Sequence, residues 1–188
     1  MKSKLFVAIL GATLAAPGFA ADTYTIDPGH THPSYEIGHF GWSVQRGRFD
    51  KVSGKIVLDR AAKSGSVDVT IDVASVSTGV AKLDEHLKSE DFFDVAKYPT
   101  MSFKSKKVVF SGDKPASVEG ELTLLGVTKP LTLIISAFQC APNQFVKKEA
   151  CGADATGTIK RTEFGMTKLA PALGDDVKLV INVEAFKD

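Results

Sequence analysis

Four histidines are the side chains in this sequence best suited to chemistry, because imidazole can bind a metal or transfer a proton near neutral pH. His30 and His32 are two residues apart, so on a β-strand both would lie on one face and could supply two metal ligands. His39 is an odd number of residues from both and would point the other way, and no third ligand is evident. We interpret all three as structural hydrogen-bonding residues, with contact to a ligand head group or to a metal ion as alternatives, and we predict no metal site.

Acid–base catalysis finds less support in the sequence. Acidic residues occur as adjacent pairs at 84–85, 90–91 and 175–176, whereas general acid–base chemistry requires carboxylates placed across a substrate with separated pKa values. His86 precedes an apolar leucine and is interpreted as a structural residue. The sequence contains no G-x-S-x-G, H-E-x-x-H, G-x-x-x-x-G-K-[ST] or G-x-G-x-x-G motif. We therefore predict a protein that is not an enzyme.

The two cysteines, Cys140 and Cys151, form an even count in a chain that has an export signal. This favours a disulfide, which would close the short segment between them, a segment typical of a connection between two strands. On the chain-entropy account such a bridge contributes about 3 kcal/mol. A redox-active pair is the alternative, but no C-x-x-C spacing is present to tune either thiol.

The first 20 residues have the pattern of a secretory signal peptide. A short basic start precedes an apolar run over residues 5–16, and a small residue stands at Ala20, after which we predict cleavage. The apolar run is shorter than the ~20 residues that a membrane-spanning helix needs, so we predict a soluble periplasmic protein with one domain over residues 21–188. Without the two lysines of the signal, 21 of the 23 basic residues remain against 22 acidic ones. Nothing in this charge balance favours nucleic acid as a partner.

Alternating apolar and polar residues dominate the rest of the chain. Val67, Val69, Ile71 and Val73 alternate with polar residues, and residues 177–183 repeat the pattern, which is typical of strands with one buried face. About eight such segments, separated by turn residues, predict an antiparallel barrel or sandwich. An eight-stranded barrel either fills with its own side chains or holds one slim ligand. Since the predicted inner faces carry almost no polar groups, any ligand would be apolar.

One segment, residues 80–101, breaks the alternation. Val80, Leu83 and Leu87 share one face of a predicted helix, which we expect to cover something apolar. Phe92 and Phe93 follow it, and two consecutive aromatics at a helix end are not expected to face the same direction. We expect one to pack beneath the helix and the other to line a cavity or its rim.

Four blocks of sequence resemble the YceI-like family. They are H-L-K-S-E-D-F-F with K-Y-P over residues 86–99, G-E-L-T-L-L-G-V-T-K-P over 120–130, the element from His30 to Gly41, and K-R-T-E-F-G-M over 160–166. They occur in family order and together span most of residues 24–186. The cysteine pair fits only a subset of that family.

The resemblance implies an all-β fold, an extended eight-stranded antiparallel lipocalin-like β-barrel with one or two short helices covering it. It also implies an apolar tunnel that binds a polyisoprenoid, including the tail of a quinone such as ubiquinone, with homodimers and b-type cytochromes as possible partners. We therefore predict a carrier that sequesters a polyisoprenoid lipid, with no cofactor beyond that ligand. The alternatives are an accessory redox protein acting with a b-type cytochrome on bound quinone, and an interaction protein that uses the barrel as a scaffold.

Residues on the predicted inner faces, on the helix and in the matching blocks are the predicted ligand contacts. We expect Tyr35 or His39 to meet the polar end of the lipid, and at least one of the paired phenylalanines to contact its chain. The predicted contacts are Tyr35, Ile37, His39, Phe49, Val69, Ile71, Val73, Leu83, Leu87, Phe92, Phe93, Met101, Phe103, Leu122, Leu124, Phe164 and Met166.

Overall fold

The computed structural model describes residues 21–188, so the predicted signal peptide lies outside the described residues. Eleven β-segments make up one antiparallel sheet, accompanied by one α-helix and two 3-10 turns. The strands are β1 (Asp22–Ile26), β2 (Ser34–His39), β3 (Ser43–Phe49), β4 (Val52–Asp59), β5 (Ser64–Asp72), β6 (Val76–Ser77), β7 (Thr100–Ser111), β8 (Lys114–Leu124), β9 (Val127–Asn143), β10 (Lys148–Lys160) and β11 (Leu173–Lys187). The helix α1 spans Ala81–Lys88, and the 3-10 turns span Val73–Ser75 and Arg161–Phe164.

The eleven segments form eight strands of a closed barrel, as the sequence predicts. β1 and β2 both pair with β11, one after the other, while β4 pairs with β1 and β5, and β3 pairs with β2 and β6. Each of the three couples β1–β2, β3–β4 and β5–β6 is therefore one long strand interrupted by a bend. Pairing of β1 with β11 completes the ring. Among the described residues, closure leaves only the two-residue β6 with one unpaired side, so little free edge remains on which another chain could add a strand.

The alternation predicted from sequence matches burial along the strands. In β5, Val67, Val69 and Ile71 are shielded, while the intervening Asp68 and Thr70 are exposed. Successive side chains of a strand point to opposite faces, so the apolar set turns inward and the polar set outward. The result is a barrel whose inner surface is aliphatic and aromatic.

Helix α1 lies where the barrel wall is incomplete. β6 pairs with only two residues of β3, and the helix follows directly after it. In the first turn, Asp84 accepts hydrogen bonds from the backbone N–H and the hydroxyl of Thr78 at 2.7 and 2.6 Å, which fixes the helix start to β6. Leu83 and Leu87 turn toward the interior, but Val80 is 56% exposed. The prediction that Val80 shares their buried face is wrong, because the helix begins only at Ala81.

Two further predictions concern the cross-link and the membrane. Cys140 and Cys151 are directly opposite each other on β9 and β10 and form the predicted disulfide, with their Cα atoms 4.0 Å apart. Within residues 21–188, no helix combines the length and apolar character needed to cross a bilayer.

Candidate functional site

The barrel interior contains an apolar cavity of about 540 Å³. This volume lies within the ~300–1,000 Å³ range usual for small-molecule sites. All eight long strands, helix α1 and the loops at one end contribute to its wall, and among the described residues no aspartate, glutamate, lysine or asparagine lines it. The cavity therefore offers shape and apolar surface to a ligand, with few groups that could orient a polar one.

Fifteen of the seventeen predicted contact residues line this cavity. Val73 and Phe164 are buried at 1% and 2% exposure but are not among the lining residues, because both lie in 3-10 turns rather than on the strand faces. The lining residues are Tyr35, Ile37 and His39 on β2, Phe49 on β3, Val69 and Ile71 on β5, Leu83 and Leu87 on α1, Phe92 and Phe93 after α1, Met101 and Phe103 on β7, Leu122 and Leu124 on β8, and Met166 after β10.

Phe92 and Phe93 both line the cavity, where both are predicted contacts, so the expectation that they would not face the same direction is wrong. The chain leaves the helix at Ser89 and folds back in tight turns, with Phe92 donating its N–H to Ser89 and Phe93 donating to Leu87. In such turns, consecutive side chains are not forced to opposite sides as they are in a strand. Phe93 packs edge-on against Phe49, with ring centroids 5.5 Å apart. The pair thus forms part of the cavity wall next to α1.

Tyr35 and His39 supply polar groups to an otherwise apolar wall. The Tyr35 ring lies over Gly47 of the neighbouring strand, where a Cβ atom would fall 2.6 Å from its Cζ, so any other residue there would displace the ring. Burial raises the pKa of Tyr35 to about 12, which keeps the phenol protonated and able to donate a hydrogen bond. His39 ends β2 and stacks edge-on against Phe40 at 4.6 Å.

The cavity reaches the surface at one end of the barrel. Only five of its lining residues within the described chain are exposed, and all five lie where the β2–β3 hairpin, α1 and the loop before β11 meet. We call this opening the mouth; it is formed by Phe40, Gln45, Arg46, His86 and Leu169. Lining residues at the opposite end are buried or half-buried, so the cavity is deepest there.

The far end of the barrel is closed by a buried tyrosine. Tyr24 is 1% exposed and its hydroxyl donates to Glu149 at 2.5 Å, while Arg60 approaches the same carboxylate at 3.0 Å. Burial and this hydrogen bond raise the pKa of Tyr24, and the same bond lowers the pKa of Glu149. The disulfide lies beside this cluster, with Cys151 lining the cavity.

The histidines outside the cavity do not form the strand face that their spacing suggests. His30 and His32 lie in the bend between β1 and β2, which is not a strand. The Nδ1 atom of His30 is 2.6 Å from Asp27 Oδ2, and this hydrogen bond raises the pKa of His30 and lowers that of Asp27. Asp27, His30 and Glu184 lie near the surface, Asp27 half-buried and the other two exposed, with ligand atoms within 4.8 Å of one another, so a cation could contact all three.

His86 forms part of the mouth in addition to packing against the segment after α1. Its ring packs edge-on against Phe92 at a centroid distance of 5.0 Å, and its Nε2 lies 3.8 Å from a carboxylate oxygen of Asp91. It lines the cavity while remaining exposed. This position makes it available to a ligand's polar end, alongside His39.

Arg161 is a buried charged residue of the cavity wall that sequence reasoning missed. Its side chain is 1% exposed and donates to the carbonyl oxygens of Met166, Gly174, Lys168 and Leu173 at 2.7, 2.8, 2.9 and 3.0 Å. Burial lowers the pKa of this guanidinium. The only signal in the sequence is the charged start of the 160–166 block, which does not show that one charge turns inward. The arginine ties the loop before β11 to the barrel beneath the mouth.

The lining residues of β9 and β11 could have been found from alternation alone. Both β9 and β11 alternate apolar and polar residues in sequence, and the apolar sets face the cavity. They comprise Leu131, Leu133 and Ile135 on β9, and Val177, Leu179, Ile181 and Val183 on β11.

Comparison with known proteins identifies the family of this barrel. The family model described as YceI-like domain matches residues 24–185. Protein YceI of Escherichia coli O157:H7 is 37% identical over 188 residues, covering 95% of this chain and 97% of that protein. The crystal structure of Burkholderia cenocepacia BcnA has a TM-score of 0.73 at 25% identity, over 85% of this chain and 99% of that one.

A polyisoprenoid binding domain from Saccharophagus degradans, implicated in plant cell wall breakdown, has the same fold at lower sequence identity. Its TM-score is 0.64 at 17% identity, covering 88% of this chain and 98% of that one. The match of the family model to almost all of the barrel, together with the Escherichia coli relative, decides the assignment. The chain belongs to the YceI-like family.

Proposed function

We propose that this protein binds a polyisoprenoid lipid in its barrel and carries it through the periplasm. The observation that carries the proposal is the apolar cavity of about 540 Å³, whose exposed lining residues, within residues 21–188, all lie at the mouth and whose tyrosine-closed end is deepest. The polyisoprenoid binding domain of Saccharophagus degradans, which shares the fold, supports the same ligand class.

The physical basis for binding is burial of the hydrocarbon tail. Apolar surface removed from water contributes about 25 cal/mol per Å² before the cost of ordering the chain. The absence of acidic side chains and lysines from the described lining avoids the penalty of desolvating them. The tail would lie along the barrel toward Tyr24, and the polar end would remain at the mouth.

Quinones with a polyprenyl tail are the best single candidate for the ligand. A quinone ring is neutral and its carbonyl oxygens accept hydrogen bonds, which Tyr35, His39, Gln45 and Arg46 could donate at or near the mouth. Arg46 is partly occupied by an ion pair with Glu36, its Nε lying 2.8 Å from Oε1, so the mouth does not present a strong free positive charge. This favours a neutral head group over an anionic one.

Export to the periplasm is supported by two features. The pattern of the first 20 residues is that of a signal peptide, and the Cys140–Cys151 disulfide is stable in an oxidising compartment. Intact mass of the chain purified from a periplasmic fraction would test both cleavage after Ala20 and the state of the cysteines.

Lipid content of the purified protein tests the carrier role. Organic extracts of the native protein are analysed by mass spectrometry, alongside the variants Val69→Trp and Thr70→Trp. Val69 lines the cavity, whereas Thr70 is exposed on the outer face of the same strand, so the second variant controls for placing a large ring on β5. We expect wild type and Thr70→Trp to retain a polyprenyl lipid, and folded Val69→Trp to retain less than about a tenth as much, since an overfilled apolar space excludes the chain.

Two outcomes would contradict the proposal. One is that no polyprenyl lipid is found in any sample and none is taken up from detergent solution. The other is that both tryptophan variants lose lipid equally while folding normally, which would place the lipid outside the barrel. The redox role with a b-type cytochrome and the homodimer both stay predictions. Co-purification with membrane proteins tests the first, and sedimentation of the purified chain tests the second.

A further inference from the structure

The tip of the β2–β3 hairpin presents large aromatic side chains to solvent. Trp42, the single tryptophan of the chain, is 82% exposed, and Phe40 and Val44 are 38% and 48% exposed. Leu169, on the loop beside the hairpin, is 46% exposed. Exposed apolar side chains are common singly, but a group of this size at one place points to a binding surface. We call these four residues the apolar tip.

The backbone of the hairpin holds this group outward. Phe40 and Gly41 have φ angles of 53° and 75°, a left-handed conformation that asparagine and glycine adopt more cheaply than phenylalanine. The N–H of Phe40 donates to Ala172 at 3.0 Å and that of Trp42 to His39 at 2.9 Å. The turn is thus tied to the barrel and to the neighbouring loop, and its aromatic side chains are displayed on a fixed support.

The apolar tip is continuous with the cavity. His39 lines the cavity, Phe40 both lines it and reaches solvent, and Trp42 lies outside it. The rings contact one another in sequence, with centroids 4.6 Å apart between His39 and Phe40 and 5.5 Å between Phe40 and Trp42. Leu169 likewise belongs to both the tip and the mouth. An apolar path therefore leads from the exterior into the barrel.

We propose that the apolar tip inserts into the surface of a lipid bilayer and places the mouth against it. Tryptophan and phenylalanine favour the boundary between head groups and acyl chains, and a lipid passing between that boundary and the cavity would not cross bulk water. The proposal rests on the proposed function for its purpose, but membrane contact is measured separately from lipid content.

A second copy of the chain fits the apolar tip less well than a bilayer. A stable interface buries ~800 Å² on each partner and involves ~20–30 residues a side, whereas the tip has four exposed apolar residues. Charge should add little to membrane contact, because Arg46 on β3 is paired with Glu36 and does not present a free positive charge to anionic lipids. Attachment should therefore be weak, reversible and similar on zwitterionic and anionic membranes.

Fluorescence of Trp42 reports directly on this contact, because no other tryptophan contributes to the signal. The purified chain is mixed with phosphatidylcholine–phosphatidylethanolamine vesicles, with and without phosphatidylglycerol. We expect a blue shift of the emission, quenching by lipids brominated near the head group, and little change with added salt.

Flotation with vesicles compares wild type, Trp42→Ser and Phe145→Ser. Phe145 is 94% exposed in the β9–β10 turn, at the far end of the barrel, and serves as the matched control. Intact mass first confirms that all three have the same N terminus. We expect Trp42→Ser to lower the partition coefficient about tenfold, since it removes one large aromatic ring from the contact, and Phe145→Ser to leave it unchanged.

Four results would overturn the proposal. They are an unshifted Trp42 emission with vesicles, equal flotation of wild type and Trp42→Ser, equal losses in both variants, and a Trp42-dependent dimer that does not float. Lipid content measured on the same samples separates the two proposals. Empty protein that still floats through Trp42 would contradict only the carrier role, whereas loaded protein that does not float would contradict only membrane docking.

Discussion

Replacing Arg161 by methionine should destabilise the barrel strongly. The guanidinium is 1% exposed and donates four hydrogen bonds to backbone carbonyls. Methionine fills much of the same space but donates none of them. Since a buried carbonyl without a partner costs about 1–3 kcal/mol, the expected loss is several kcal/mol, a large part of the ~5–15 kcal/mol by which domains are stable.

The size of the effect follows from where the four carbonyls lie. The bond to Met166 is fully buried, while those to Lys168, Leu173 and Gly174 are partly buried, so water can reach the latter three after a small movement. Counting about 2 kcal/mol for the first and about 1 for each of the others gives ~5 kcal/mol. Part of this loss is offset, because the methionine variant no longer has the free-energy cost of removing a charged guanidinium from water. We expect a net loss of about 3 kcal/mol.

Equilibrium unfolding in urea, with the disulfide intact, measures this loss. For a chain of this length 3 kcal/mol corresponds to a drop in Tm of roughly 6–12 °C. The control is Lys160→Met, since Lys160 is exposed and its ion pair with Asp176 at 2.7 Å should contribute less than about 1 kcal/mol. Arg161→Lys keeps the charge but cannot reproduce the planar set of donors, so it should fall between methionine and wild type. A methionine variant within 1 kcal/mol of wild type would refute this account of the loop.

Two other predictions concern the polar clusters at the far end and in the β1–β2 bend. Tyr24→Phe should lower the free energy of unfolding by about 1–2 kcal/mol and raise the pKa of Glu149, so less stability is lost on acidification through the folded pKa of that carboxylate. The pKa of His30 is raised by Asp27, so its contribution to stability is complete below the unfolded pKa and disappears as pH rises through the folded one. NMR titration of His30 in wild type and Asp27→Asn checks this, and identical midpoints would contradict it.

Alternation of apolar and polar residues predicted the barrel because burial of one strand face is a constraint that every strand repeats. Every strand has one face toward an apolar interior, so each apolar residue at period two indicates an inward-facing strand position. In β5 the three valine and isoleucine positions from 67 to 71 are shielded as predicted. The ring of eight strands could be inferred from such segments because closure requires only their number and antiparallel order.

Irregular backbone was not predictable in the same way. The register of β9 and β10 shifts between Asp154 and Ala155, and beyond this bulge the inward positions of β9 change from Leu133 and Ile135 to Phe138. A bulge inserts one unpaired residue and reverses the alternation, and nothing in the residue types marks the place. The same limitation explains why the shared direction of Phe92 and Phe93, which is set by turn hydrogen bonds, was not predicted.

Arg161 shows why polar residues inside the barrel were harder still to predict. A buried charge is favourable only when all its partners are in place, and the four carbonyls that accept from Arg161 belong to residues 166–174. Every residue has the same backbone carbonyl, so the residue types do not show that these four point toward one side chain. Burial of this arginine depends on a loop conformation and not on a pairing of side chains.

The cavity and the hydrophobic core are largely the same set of residues, which limits how the barrel can be stabilised. Phe49, Met101 and Leu122 are core residues with less than 9% exposure, and all three line the cavity. Larger side chains at such positions would improve packing in the empty barrel but would occupy the space available to a ligand. Stability has to come from elsewhere: from the closed ring of strand hydrogen bonds, the disulfide beside Tyr24 and the carbonyl-binding arginine. These elements surround the cavity without filling it, and this explains how one interior can be both a core and a binding site.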